Sequence, residues 1–177
     1  MPGQVYDLNP VDRITTDAVG EPGRRVFYIQ ARRGEQRVTL LCEKEHVAAL
    51  AEAVDQLLLS LADGDADAVV EPDRILQRGM ALEYPLDPAF RTGEVNLGYD
   101  RLTERLVIII YELLEDEDEA DDSTASVARF WASQEQMRAF SIQGQQVVAA
   151  GRPRCTMCGE PMDPGGHFCP RKNGHKT

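Results

Sequence analysis

The feature that most constrains the fold is an order of segments that occurs in each half of the chain: strand-like runs followed by an amphipathic helical pattern. In the first half, Val26 to Ala31 and Arg37 to Cys42 are β-rich runs, and the short turn between them predicts a hairpin. The preceding stretch RITTDAVG, residues 13–20, predicts a further strand. After Cys42, apolar residues recur at spacings of three and four, which predicts a helix with one apolar face: Val47, Leu50, Val54, Leu57 and Leu58.

The second half repeats this order. Residues 91–100, 105–114 and 126–133 are strand candidates, and residues 133–151 carry a helical pattern that ends in glycine. An offset of ninety residues places Val47 on Met137 and Leu50 on Phe140. Two amphipathic helices also align partly by chance, so duplication and coincidence both remain open.

These patterns predict an α+β fold with an antiparallel sheet, or two facing sheets, covered by two helices. The predicted domains are an α+β body at residues 1–150, with candidate β-β-β-α repeats at 10–62 and 88–150, and a separate module at 151–177. Between two strands of the second half, Glu115 to Asp122 holds seven acids in eight positions. Charges this dense predict a solvated loop, with a docking site for a basic partner as the alternative.

The distribution of charge separates the tail from the body. The chain has a formal net charge of −11, whereas residues 151–177 carry five Lys or Arg against two acids. An acidic body argues against a surface that wraps nucleic acid or lies on an anionic membrane. The start of the chain lacks a signal-peptide pattern, and the longest apolar run, Leu106 to Ile110, is too short to span a bilayer. We therefore expect a cytoplasmic protein without a membrane partner.

The tail contains the spacing of a zinc site. Cys155 and Cys158 form a C-x-x-C pair, and His167 and Cys169 form an H-x-C pair. Two such pairs on turns supply the four nitrogen and sulfur ligands of a closed tetrahedral site. We expect one structural zinc per chain held by these four residues. The alternative set replaces His167 with His175, but His175 lies two residues from the chain end, where ordering costs more conformational entropy.

Three blocks of sequence resemble an actinobacterial family known as domain-of-unknown-function family 3090. They are NPVDRITTDAVGEPGRRVFYIQARRG, FRTGEVNLGYD and VVAAGRPRCTMCGEPMDPGGHFCPRKNGH. The resemblance extends in the same order over nearly the whole chain. The resemblance implies a fold shared along the whole chain but no reaction. It also favours His167 as the ligand, because the family commonly has an aromatic residue at the position of His175.

No catalytic set emerges from the sequence. Phosphate-binding glycine loops, nucleophile elbows and H-E-x-x-H helices are missing from it. Cys42 and His46 resemble a Cys-His pair, but a buried strand cysteine and a first-turn histidine explain the same residues better.

We therefore predict a non-catalytic adaptor that binds an unidentified protein partner. The alternative is a nucleic-acid-binding accessory protein, and an enzyme with a site between the two halves ranks third. Nucleic acid would contact the basic residues of the tail: Arg152, Arg154, Arg171 and Lys172.

Overall fold

The computed structural model describes residues 3–115, 124–150 and 156–158. These residues form an α+β structure with one seven-stranded sheet and three α-helices. The strands are β1 (Val5–Leu8), β2 (Arg13–Val19), β3 (Val26–Arg33), β4 (Gln36–Cys42), β5 (Pro88–Asp100), β6 (Arg105–Glu112) and β7 (Val127–Ala132). The helices are α1 (Lys44–Leu61), α2 (Arg74–Arg78) and α3 (Gln134–Ala150), and a 3-10 turn spans Ala66–Ala68.

Each predicted strand and both predicted long helices are present. The elements β2-β3-β4-α1 and β5-β6-β7-α3 follow the three-strands-then-helix order that was predicted for each half. Two elements were not predicted, the short strand β1 and the five-residue helix α2. The predicted zinc ribbon falls almost wholly outside the described residues.

The prediction of an antiparallel sheet was wrong in part, because the sheet is mixed. Its strand order is β1-β7-β6-β5-β4-β3-β2. Each half is an antiparallel meander, but two pairs of neighbouring strands are parallel: β4 with β5, and β1 with β7. Between β4 and β5 the chain passes through α1 and a long connection, which returns it in the same direction and permits parallel pairing.

The two ends of this sheet lie close together. The strands β1 and β2 stand at opposite ends of the strand order, yet only residues 9–12 connect them. That connection reaches at most about 18 Å, whereas a flat seven-stranded sheet is about 29 Å wide. Val11 N donates to Trp131 O of β7 at 2.8 Å, and Asp12 N donates to Arg32 O of β3 at 2.7 Å. The sheet is therefore strongly curled, with its edges bridged by this connection.

One hydrophobic core runs through both halves. The pairs Ile29–Leu40 and Ile108–Phe130 occupy equivalent positions in the two meanders, and all four side chains are fully buried. α1 and α3 pack against each other over this core. Gly144 of α3 allows the close approach, since a Cβ there would lie 3.3 Å from both Ala51 Cβ and Val47 Cγ1.

The face of the first half that points away from the core is covered by residues 79–85, here called the strap. Gln30 is 1% exposed, and its amide donates to Glu83 O at 3.0 Å and accepts from Glu83 N at 2.8 Å. Thr15 Oγ1 donates to Met80 O at 2.5 Å. Arg13 binds the carbonyl oxygens of Gly79 and Ala81. The strap is therefore fixed by side chains that project from β2 and β3.

None of the helices in the described ranges combines the length and apolar character of a bilayer-spanning segment.

Candidate functional site

The predicted metal centre lies almost entirely outside the described residues. Its only described ligand candidate is Cys158, which is half-buried at the end of the turn 156–158. Across residues 3–115, 124–150 and 156–158, no group of three or more His, Cys, Asp or Glu side chains is placed to hold a metal ion. The remaining predicted residues also fall outside these ranges: Cys155, His167, Cys169, His175, Arg152, Arg154, Arg171 and Lys172.

Cys42 and His46 have structural roles. Cys42 is 6% exposed, and burial, with a smaller effect from the charge of Glu43, raises the pKa of its thiol to about 12. A thiol with this pKa is a poor nucleophile at neutral pH. His46 Nδ1 accepts a hydrogen bond from Glu43 N at 3.0 Å, so the imidazole caps α1. The structural interpretation of this pair is therefore the better one.

The start of α3 is capped in the same way. Ser133 Oγ accepts from Gln136 N at 3.1 Å, and Gln136 Oε1 accepts from Ser133 N at 3.0 Å. Gln136 thus stands where His46 stands in the first half. Its Nε2 also donates to Val11 O at 3.3 Å and Asp12 O at 3.4 Å. These bonds join the start of α3 to the segment that enters β2.

A polar cluster joins the two long helices. Asp55 of α1 accepts from Arg138 Nη1 at 2.8 Å, from Ser141 Oγ at 2.6 Å and from Gln145 Nε2 at 2.6 Å. Arg138 also pairs with Glu71 at 3.7 Å. The Ser141 hydroxyl is fully buried and donates to a carboxylate. Because Asp55 of α1 accepts from three side chains of α3, the cluster holds the two helices together.

An apolar groove remains open between α1 and β5. Its volume is about 320 Å³. The equivalent space in the other half, between α3 and β2, is narrowed by Gln136 and by the close approach of Gly144 to Thr16. A Cβ added at Gly144 would lie 3.6 Å from Thr16 Cγ2. The groove is lined by Glu45, His46, Ala49, Leu50 and Ala53 of α1 and by Val95, Asn96 and Leu97 of β5.

A second depression, here called the cleft, lies at the junction of β5 and β6. Its volume is about 540 Å³. β5 changes register between Thr92 and Val95, where Gly93 permits close contact: a Cβ there would lie 3.1 Å from Leu113 N. Thr92 Oγ1 is buried and has no hydrogen-bond partner in the described part of the chain. The cleft is lined by Gly93, Glu94, Asn96, Tyr111, Glu112, Leu113, Leu114 and Ala125.

Neither depression was predicted from the sequence. The sequence signal for the groove is a row of residues at helical spacing on α1: His46, Ala49 and Ala53. Two of these three side chains are small, so the row leaves space on this side of the helix. The cleft carries a weaker signal, a glycine inside an otherwise regular strand pattern. Neither signal indicates which residues supply the opposite wall.

Comparison with known proteins identifies the family but supplies no activity. No match was found among curated proteins or among solved structures. A family model described as "Protein of unknown function (DUF3090)" matches residues 6–169. The match includes both meanders and both long helices, and it ends at Cys169. Because it spans most of the chain, the protein belongs to the DUF3090 family.

Proposed function

We propose that this protein is a non-catalytic adaptor of the cytoplasm, which binds another protein through the groove between α1 and β5. The groove is the observation that carries this proposal. Leu50, Val95 and Leu97 give it an apolar floor, while Glu45, His46 and Asn96 add polar groups. An open apolar site with few polar groups suits a partner's side chains better than it suits bond-making chemistry.

The charge of the protein favours a particular kind of partner segment. Glu45 lines the groove, and the whole chain has a formal net charge of −11. A segment that places apolar side chains in the groove and carries Lys or Arg beside them would be attracted during encounter. We therefore propose a partner with a basic, amphipathic binding segment.

The same proposal includes a structural zinc in the tail. Three thiolates and one imidazole, from Cys155, Cys158, His167 and Cys169, form a donor set that suits tetrahedral zinc. The family match includes all four of these residues. Zinc would supply folding free energy to a short segment with little core of its own.

The proposal also states that the two halves arose by duplication of one β-β-β-α unit. The ninety-residue offset places Leu40 on Phe130 and Cys42 on Ala132, and each pair occupies the same register in its meander. The equivalent helix caps at His46 and Gln136 support it further.

Two exposed alanines of α1 provide a matched test of the groove. Ala49 lines the groove and Ala48 does not, although they are neighbours on the same helix. We expect Ala49→Arg to abolish capture of a partner from the native cell and Ala48→Arg to retain it. The purified partner should then show the same difference in Kd. Equal binding by the two variants would contradict the adaptor proposal for this site.

The tail is tested separately. Elemental analysis of the full chain should give one zinc per protein, and His167→Ala should lower that content while His175→Ala leaves it unchanged. Salt-dependent binding of DNA or RNA that is lost on reversing the charges of Arg152, Arg154 and Arg171 would favour the nucleic-acid alternative instead. Partner binding that requires only the groove would oppose that alternative.

A further inference from the structure

The two halves differ in what covers the face of the sheet away from the core. In the first half, Thr15, Gln30 and Thr39 lie side by side on this face, and the strap crosses them. In the second half, Asn96, Ile109 and Arg129 occupy the equivalent positions. The cleft lies here, lined by Glu94, Asn96 and Tyr111. The cleft thus occupies the place that the strap fills in the first half.

The order of the chain indicates which segment corresponds to the strap. The strap follows α1, the helix that ends the first half, and its last residue lies 24 residues beyond Leu61. The segment that follows α3 is the tail, residues 151–177, which has 27 residues. The tail is therefore long enough to make the same excursion from the end of its helix.

Charge complementarity supports the same assignment. Glu94 and Glu112 line the cleft, and the tail contains five Lys or Arg against two acids. The segment between β6 and β7 also begins beside the cleft, but seven of the eight residues from Glu115 to Asp122 are acidic. A carboxylate-lined cleft repels that segment and attracts the tail.

We propose that the C-terminal segment, residues 151–177, docks across the outer face of β5 and β6 and fills the cleft, as the strap fills the equivalent place in the first half. This proposal goes beyond the adaptor function. It depends neither on the groove nor on bound zinc, because the cleft and the basic charge of the tail exist without either.

A photo-crosslinking residue at the cleft tests the proposal in the full chain. We would replace Tyr111, which is 38% exposed, with p-benzoylphenylalanine and identify the crosslinked peptides by mass spectrometry. The expected product is an intramolecular crosslink to a peptide within residues 151–177. The matched control places the same probe at Tyr84 of the strap, which is 65% exposed, and there the yield of that product should be several-fold lower.

A second probe position and a charge exchange make the outcome decisive. The same probe at Glu94, which is exposed, should give the same product even if the Tyr111 variant does not fold. With the probe at Tyr111, Glu94→Lys should lower the yield by roughly twofold to fivefold, the usual strength of an exposed charge pair. Adding Arg171→Glu and Lys172→Glu should restore part of that yield.

Four results would overturn the proposal. The first two are crosslinks confined to residues 116–123 and crosslinks to a second copy of the chain. The third is crosslinking in the native cell to another protein alone. The fourth is a yield to the tail that is the same from Tyr84 as from Tyr111.

Discussion

Cys42 illustrates how a residue that resembles a nucleophile is made inert by its position. It ends β4, where its side chain pairs with Phe27 across the meander and joins the core. Burial favours the neutral thiol, so the pKa is raised rather than lowered. Its equivalent in the second half is Ala132, which is also buried. A small apolar side chain is therefore what this position requires.

The raised pKa of Cys42 predicts a stability that falls with pH. The folded protein keeps the thiol neutral up to about pH 12, whereas the unfolded chain ionises it near the ordinary cysteine pKa of 9.0. Above pH 9 the unfolded state therefore binds fewer protons, and the free energy of unfolding decreases by up to about 1.4 kcal/mol per pH unit. Urea unfolding between pH 8 and about 10.5 should show a steeper decline for wild type than for Cys42→Ala. If the free energy of unfolding declined equally with pH in both proteins, the burial of the Cys42 thiol would be contradicted.

Asp55 is the residue on which the polar cluster between α1 and α3 depends. It accepts three hydrogen bonds, and Asp55→Ala removes the acceptor that Arg138, Ser141 and Gln145 share. We expect a loss of about 1–3 kcal/mol in the free energy of unfolding, measured by urea titration. Glu52→Ala is the control, since Glu52 is exposed on the same helix and contacts only Gln56 among the bonds described. Its effect should stay below about 0.5 kcal/mol.

The strap shows how side chains of a sheet can organise a segment without regular structure. Gln30 is central to it, because its buried amide binds both the N–H and the carbonyl oxygen of Glu83. We expect Gln30→Leu to release this attachment and to speed hydrogen exchange at the amides of Leu82 to Tyr84, with little change in β6. Gln36→Leu, at the exposed start of β4, is the control. Unchanged exchange in the strap of Gln30→Leu would show that its arginine contacts suffice.

Local patterns predicted most of the elements but not the way in which they pair. The alternation in residues 26–42 and the spacing from Val47 to Leu58 are local signals, and the structure has a hairpin and a helix there. β1 was missed because it has four residues and its only fully buried side chain is Leu8. The pairing of β4 with β5 joins residues 49 or 50 positions apart, such as Leu40 and Phe90. No local propensity encodes that contact, so a mixed sheet could not be distinguished from an antiparallel one.

The candidate sites depend on contacts between segments that are separated in the sequence. Ala49 and Ala53 are unremarkable helix residues until β5 places Val95 and Leu97 opposite them. Glu94 lines a cleft together with Tyr111 at the point where β5 changes register. The zinc ligands are the opposite case, since their close spacing is visible in the sequence alone. The spacing of candidate metal ligands can therefore be read from the sequence, whereas surfaces formed by contacts between distant segments cannot.

At the scale of the whole molecule, each half depends on the other for its core. α3 of the second half packs on β2 of the first, α1 packs on β5, and β1 completes the sheet beside β7. The core cluster accordingly contains residues from Leu8 to Val147. A half on its own would leave one face of its helix and one edge of its meander exposed. The two halves are therefore parts of one cooperative unit rather than two folding domains.

This interdependence predicts that two fragments of the chain fold when they are mixed, although neither folds alone. Fragments 1–86 and 87–177 divide it between the strap and β5. Each fragment alone should lack a cooperative thermal transition by circular dichroism, and mixing them should restore one, because only the mixture can pair β4 with β5. In the intact chain, fluorescence of Trp131, which lies in the second half and is the chain's one tryptophan, should change at the same urea concentration as the helical signal of both halves. Native-like stability of either fragment alone, or separated transitions in the intact chain, would show that the core does not couple the halves.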